Sequence, residues 1–273
     1  MRWDESIFMS STFTAVGFGS METSPAIQHF IEENLRTASL KGERCKEGRF
    51  LVFVKEVGEN ILLWFITRYS DENSEYADLV SLYPGFRGQA YQDFQLEEMF
   101  FNPALGKGIL FGKLRGAEKD FTIPLLIFAP EFLQKCLWFA DEFLEISLVG
   151  LAFEVNISAG KQEETPSGCF VALQEEECHY FFKGRVLEKK TLTNPATGEP
   201  IFWFYIDTFV TRLGIVAAAG DIPADIPENS NIEGVCWLQG FIKEEYTDVY
   251  EHAHSRHHDH TESRPFRWPG SHN

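Results

Sequence analysis

The residues best suited to chemistry stand together at 174–179, in the run Gln-Glu-Glu-Glu-Cys-His. Alternate residues of a strand share a face, so Glu177 and His179 point the same way, with Glu175 two positions further back. Carboxylate and imidazole groups can hold a divalent metal, but a site needs three or four ligands, and the sequence indicates no partner elsewhere. We favour a solvated acidic entry to a strand, capped by His179. A metal-dependent enzyme using Glu177 and His179 is kept as an alternative.

A second group of metal-binding residues lies near the C-terminus. Its histidines are His252, His254, His257, His258, His260 and His272. Imidazoles at this density bind Ni²⁺, Cu²⁺ or Zn²⁺ adventitiously near neutral pH, and we expect no other cofactor. Residues 244–273 carry few aliphatic side chains, which predicts a flexible tail.

Motifs for catalysis are missing from the rest of the chain. The sequence contains no Gly-x-Ser-x-Gly elbow, no His-Glu-x-x-His and no phosphate-binding loop of the Walker type. Only His29 and His179 lie outside the tail, and histidine is the residue that general-base chemistry uses most often. We therefore expect a non-catalytic protein.

The charge balance limits the choice of partners. The formal net charge is −17, so nucleic-acid phosphates and anionic membranes are repelled unless a local basic patch intervenes. A basic protein or a cation fits this sign better, and another protein is the partner we expect.

The chain carries the features of a cytoplasmic protein. Its five cysteines are scattered, with no Cys-x-x-Cys pair, which favours reduced and mostly buried thiols. The N-terminus lacks a basic region followed by an apolar core, so we expect no secretory signal. Whether translation begins at Met1 or Met9 is left open.

Two helices and an antiparallel sheet are predicted for residues 10–144, an α+β domain. The first helix follows Ser24 and Pro25 and stops near Gly42, with Phe30, Ile31 and Leu35 on one face. The second occupies 130–144. The predicted strands and turns are a first strand at 11–18, a hairpin around residues 58–60, a turn at 83–88, and strands at 108–115 and 121–128. Pro124 indicates that the last of these lies on an edge or contains a bulge.

Residues 145–243 read as mainly β. The pattern over residues 181–243 resembles an OB-fold-like barrel. Its order is a Gly-Arg-Val strand, the turn Thr-Asn-Pro-Ala-Thr-Gly-Glu-Pro, the strand Ile-Phe-Trp-Phe-Tyr-Ile-Asp-Thr and a closing Gly-Val-Cys-Trp-Leu-Gln-Gly strand. That resemblance implies a ligand or single-stranded nucleic-acid module, with Trp203, Tyr205 and Phe202 stacking and Arg185 beside them. However, residues 201–206 are apolar on both faces, which favours core packing.

The whole chain also resembles uncharacterised bacterial proteins of unknown function, through Ala-Val-Gly-Phe near its start, Ser-Leu-Val-Gly-Leu-Ala-Phe-Glu at its middle and Trp-Leu-Gln-Gly near residue 240. This resemblance implies no activity. Our leading expectation is an acidic, non-catalytic binding or adaptor protein that engages another protein.

Overall fold

The computed structural model describes residues 11–21, 26–44, 49–69, 77–102, 106–115, 122–128, 143–158, 168–174, 178–222 and 226–243. The described residues all belong to one compact unit, residues 1–243. Met9 and the histidine-rich tail therefore lie outside the described residues. Across the described ranges, no helix combines the length and the apolar character needed to cross a membrane.

Two helices precede the strands in this description. They are α1 (Ser11–Ala15) and α2 (Ala26–Thr37). The strands are β1 (Ser39–Arg44), β2 (Phe50–Gly58), β3 (Ile61–Tyr69), β4 (Ala77–Phe86), β5 (Tyr91–Asn102), β6 (Lys107–Arg115), β7 (Thr122–Phe128), β8 (Phe143–Ile157), β9 (Cys169–Gln174), β10 (His179–Thr193), β11 (Pro200–Asp207), β12 (Arg212–Ala218) and β13 (Asn231–Ile242).

Strands β1 to β4 form an antiparallel sheet in chain order. Asn60 has φ +63° in the turn between β2 and β3, a conformation that asparagine tolerates better than most residues. The predicted hairpin at residues 58–60 is thereby confirmed. Strand β3 is buried along nearly its whole length, as expected for a strand covered on both faces.

The remaining nine strands form one sheet in the order β11-β12-β8-β5-β6-β7-β13-β10-β9. Two further pairings, β8 with β13 and β10 with β11, close the ladders into two circuits. One circuit runs β8-β5-β6-β7-β13 and the other β8-β12-β11-β10-β13. The pair β8–β13 belongs to both circuits, so the strands on either side of it depend on the same central ladder.

Gln239 joins the two sheets. Its Nε2 donates to the carbonyl of Pro84 (2.7 Å) and its Oε1 accepts from the N–H of Phe86 (3.4 Å). Strand β4 is an edge of the four-stranded sheet, so these backbone groups have no strand neighbour on that side. The side-chain amide of a β13 residue thus takes the place of a fifth strand.

The turn between β10 and β11 holds the N-terminal segment. Asn194 donates from Nδ2 to the carbonyls of Val16 (2.9 Å) and Gly17 (3.2 Å), and the Thr197 hydroxyl also donates to Gly17 (2.6 Å). Glu199 accepts from the backbone N–H of Ser20 (2.7 Å). These bonds satisfy the carbonyls after α1, which a five-residue helix cannot satisfy internally.

The α+β prediction, with two helices followed by an OB-like barrel, is wrong. The described chain is mostly β, in a four-stranded and a nine-stranded sheet, with two short α-helices. Strands β8, β12, β11, β10 and β13 of the C-terminal half do close a circuit, but β8 and β13 also pair with β5 and β7, so this circuit is continuous with strands from the first half of the chain. The periodicity of apolar residues reflects local structure, so it does not show which strands far apart in the chain will pair.

Several local predictions also need correction. The predicted first strand at 11–18 contains helix α1, whose Phe13 and the following Phe18 are buried in the core. The first predicted helix ends at Thr37, and the chain enters β1 at Ser39. The predicted turn at 83–88 begins inside β4, where Pro84 is accommodated on an edge strand.

The second predicted helix, at 130–144, falls almost wholly outside the described residues. Its last two residues, Phe143 and Leu144, begin strand β8. Pro124 lies in β7 opposite Lys113 of β6, and the one residue of β7 that pairs with β13 is Phe128. Strand β7 lies between β6 and β13 in the sheet order and is not an edge strand, but Pro124 has no partner on β13 and so disturbs no ladder on that side.

Candidate functional site

The aromatic residues of β11 are positioned by two antiparallel ladders. Trp203 pairs with Lys190 of β10 and Val216 of β12, and Phe204 with Lys189 and Ile215. Directly paired residues share a face, so each face of β11 presents aromatic rings beside a lysine.

Trp203 and Tyr205 occupy the face that packs on the core. Trp203 is only 5% exposed, and the Tyr205 ring is stacked on it with centroids 6.1 Å apart. The indole N–H has no hydrogen-bond partner in the described structure and lies against Gly214, where a β-carbon would come within 2.9 Å of Nε1. A ligand could stack on Trp203 only by displacing Tyr205 or the strand beside it.

The opposite face of β11 is also packed. Phe204 is fully buried, whereas Phe202 is half-buried. The Nζ of Lys189 lies 4.4 Å from the centroid of Phe202 and donates to the carbonyl of Ile226 (3.4 Å). The lysine covers the aromatic ring with its own cation, an arrangement that stabilises the packing.

Carboxylates accompany the other cations near this strand. Lys190 lies 4.8 Å from the centroid of Trp203 and pairs with Glu188 (2.9 Å). Arg212 pairs with Asp207 (3.4 Å). Burial raises the pKa of Tyr205, an effect that the charge of Arg212 opposes and that of Asp207 reinforces.

Arg185 is exposed at the end of this ladder, opposite Asp207. The structure therefore brings Phe202, Trp203 and Tyr205 together on one strand, with Arg185 on the neighbouring strand. Their role in binding a ligand stays a prediction.

His179 begins strand β10 in a half-buried position. Its ring meets Phe153 edge-on, with centroids 5.1 Å apart. Glu177 lies outside the described residues, as do the five predicted tail ligands, His252, His254, His257, His258 and His260. Within the described ranges, no three His, Cys, Asp or Glu side chains lie close enough to hold a metal ion.

The sequence did not single out strand β9, which is the surface feature that stands out in the structure. Val171 and Leu173 are 52% and 53% exposed; Val171 shares a face with its β10 partner Phe181, and Leu173 lies at a register shift of the β9–β10 ladder. On the other face, Phe170 is buried and stacked on Tyr180, with ring centroids 4.6 Å apart. The signal was present as the uncharged run Cys-Phe-Val-Ala-Leu, but apolar residues on both faces read equally well as a covered strand.

Comparison with known proteins gives this chain no relative. No protein-family model, no curated protein and no solved structure matches it. Its function must therefore be argued from the arrangement of its own residues.

Proposed function

We propose that the protein is an acidic, non-catalytic binding or adaptor protein of the cytoplasm that engages another protein. The observation that carries this proposal is the pair Val171 and Leu173, which stand more than half exposed side by side on a strand at the margin of the large sheet. Exposed apolar side chains in neighbouring positions are typical of protein-interaction surfaces.

The burial of the aromatic residues supports the same function. Trp203, Phe204 and Trp237 are buried, so the many rings of the C-terminal half contribute to packing. Other large apolar side chains that remain exposed are spread over the surface: Leu40, Tyr91, Phe143, Ile157 and Phe209. Single exposed apolar residues are ordinary in folded proteins. The neighbouring pair on β9 is therefore the surface feature that best supports a binding site for a partner.

The two alternatives draw less support. A ligand- or nucleic-acid-binding module would need the Trp203 and Tyr205 rings beside free cations, yet Lys190 and Arg212 already pair with carboxylates. A metal-dependent enzyme would use Glu177, outside the described residues, together with His179, which contacts Phe153. Neither alternative has an observation of its own in its favour.

The direct test is affinity capture from a lysate of the native host. The full-length chain, carrying an N-terminal tag that does not bind metal, is compared with a chain ending at Lys243. Parallel captures with and without nuclease show whether nucleic acid is bound, and competition with untagged protein identifies specific partners.

The expected result is one or a few proteins captured in near-stoichiometric amounts and released by competition. Capture by both chains would place the binding surface within residues 1–243. Recovery of nucleic acid alone, or of nothing that untagged protein displaces, refutes the proposal.

A further inference from the structure

Strand β9 is an open edge of the nine-stranded sheet. It pairs with β10 on one side, and no described strand pairs with the other. Alternate N–H and C=O groups of an edge strand point away from its neighbour and can pair with an additional strand. Folded proteins protect such edges with charges, prolines, bulges or a covering segment.

The other open edges are protected in these ways. Strand β1 carries Lys41 and Arg44, and its register shifts at Leu40/Gly42. Strand β4 contains Pro84 and is covered by the Gln239 amide. Strand β9 has neither a charged residue nor a proline in its sequence Cys-Phe-Val-Ala-Leu-Gln, and the register shift at Leu173 leaves Cys169–Ala172 regularly paired with β10.

The exposed face of β9 continues across the neighbouring strands. Val171 lies opposite Phe181 of β10, which in turn lies opposite Val235 of β13. Phe181 and Val235 are half-buried, so the three residues form an apolar row that ends at the open edge. A strand added at β9 would extend this row and bury the exposed parts of Val171 and Leu173.

We infer that β9 binds an extended segment of a partner protein as an additional strand, with apolar residues at alternate positions and basic residues at its ends. This inference rests on the proposed function and names the site and the class of partner. Main-chain hydrogen bonds would supply affinity, and the apolar row would set the register.

The charges around β9 favour a basic partner. Glu163 and Glu164 precede the strand in the sequence, and residues 175–177 after it are all glutamates. Among the described residues, Glu154 is exposed opposite Val235, and Lys183 is already paired with Glu233 (3.4 Å). Opposite charges at the two ends of the added strand would raise the association rate and fix its position.

A second copy of this chain is a poorer occupant. A dimer through β9 would pair two copies of a strand that glutamates flank in the sequence, at 163–164 and at 175–177. Each copy also carries a net charge of −17. Like charges placed together in this way oppose association.

The test uses synthetic nonapeptides blocked at both ends and full-length protein. The probe is Lys-Lys-Val-Thr-Val-Thr-Val-Lys-Lys, and its controls replace every lysine with glutamate or methylate every backbone nitrogen. Binding is measured by fluorescence anisotropy at low and at high salt. We expect saturable binding of the lysine-ended peptide, about tenfold or more tighter than the glutamate-ended one, that weakens with salt.

Variants locate the binding at β9. The double variant Val171→Thr/Leu173→Thr should weaken peptide binding by about tenfold, because it removes the exposed apolar contacts while threonine retains a high propensity for strands. The matched control is Leu40→Thr, which alters a residue that is 57% exposed on the protected edge β1 and should leave binding unchanged. Unchanged thermal unfolding verifies that both variants are folded.

Several outcomes would overturn the inference. Equal binding by the double variant, or equal binding of the N-methylated peptide, would show that β9 does not accept a strand. A concentration-dependent dimer in sedimentation that only the double variant lacks would make a second copy the occupant. If affinity capture recovers the same proteins with wild type and the double variant, this inference fails while the proposed function stands. If neither captures a protein, the proposed function itself fails.

Discussion

Substitution of Asn194 gives the sharpest test of how the N-terminal segment is held. Asn194 is fully buried, and its side chain makes three hydrogen bonds. Nδ2 donates to the carbonyls of Val16 and Gly17, and Oδ1 accepts from the N–H of Ala196 (2.9 Å). The change Asn194→Ala removes all three.

The backbone groups that lose a hydrogen bond to Asn194 differ in whether another partner can replace it. Ala196 is exposed, so water can replace Oδ1, and the carbonyl of Gly17 keeps the Thr197 hydroxyl at 2.6 Å. The carbonyl of Val16, a fully buried residue, loses its side-chain donor. An unsatisfied buried group costs about 1–3 kcal/mol and a lost net hydrogen bond about 1 kcal/mol. We expect the free energy of unfolding to fall by about 3 kcal/mol, or the Tm by about 6–12 °C.

Two measurements check this expectation. Urea and thermal unfolding give the loss of global stability. Hydrogen exchange at the amides of Gly17 and Phe18, which donate to carbonyls within α1, shows whether the N-terminal segment is released first. The matched control is Thr197→Val, which removes one of the two donors to Gly17 but leaves Val16 satisfied, and should cost about 1 kcal/mol.

The losses of stability in Asn194→Ala and Thr197→Val are compared to test whether the Val16 carbonyl is the group that matters. A loss below about 1 kcal/mol for Asn194→Ala would mean that the Val16 carbonyl finds another donor. An equal loss for Thr197→Val would mean that the bond to Gly17, and not the one to Val16, dominates. Either result refutes the reasoning.

Three further predictions concern packing and pH. Gly17→Ala should cost about 2–3 kcal/mol by urea unfolding, since φ is +79° and the new carbon would lie 3.0 Å from the Asn194 β-carbon; Gly198→Ala, with φ +78° and open space, should cost only about 1 kcal/mol. Gln239→Leu should cost about 2–4 kcal/mol, because it leaves two backbone groups of β4 unpaired; a loss below 1 kcal/mol would contradict this role. Burial raises the pKa of Tyr83 from 10.0 to about 12, against a hydrogen bond from Ser81 that lowers it, so the folded state keeps a proton that the unfolded state loses. Stability should therefore fall by up to about 2–3 kcal/mol between pH 10 and 12, and Tyr83→Phe should show a smaller fall in urea titrations.

Local patterns predicted those elements whose determinants are local. The hairpin at residues 58–60 formed because turn residues separate two β-rich runs, and Asn60 adopts the left-handed conformation there. The apolar face of the first helix was found at Phe30, Ile31 and Leu35, and Ile31 is buried. Such signals are complete within about ten residues, so the sequence alone is sufficient to read them.

Helix α1 was missed because distant residues determine it. Alternation of Phe13 and Ala15 with threonines favours a strand, yet the segment is a single helical turn buried in the core. The carbonyls of Val16 and Gly17, directly after the helix, are satisfied by Asn194, about 180 residues further along the chain. Once those hydrogen bonds are supplied from elsewhere, the local preference for a strand no longer decides the conformation.

The candidate site was missed for a related reason. An apolar strand has the same sequence signature whether it lies in the centre of a sheet or at its margin. Strand β9 is an edge because its one neighbour among the described strands is β10. The other partners of β10 are β13 and β11, which pair with further strands and not with β9. Trp203 is buried because its face of β11, between the flanking strands β10 and β12, packs on the hydrophobic core. Sheet order and the packing of each face therefore decide which aromatic residues are removed from water and which apolar residues remain exposed.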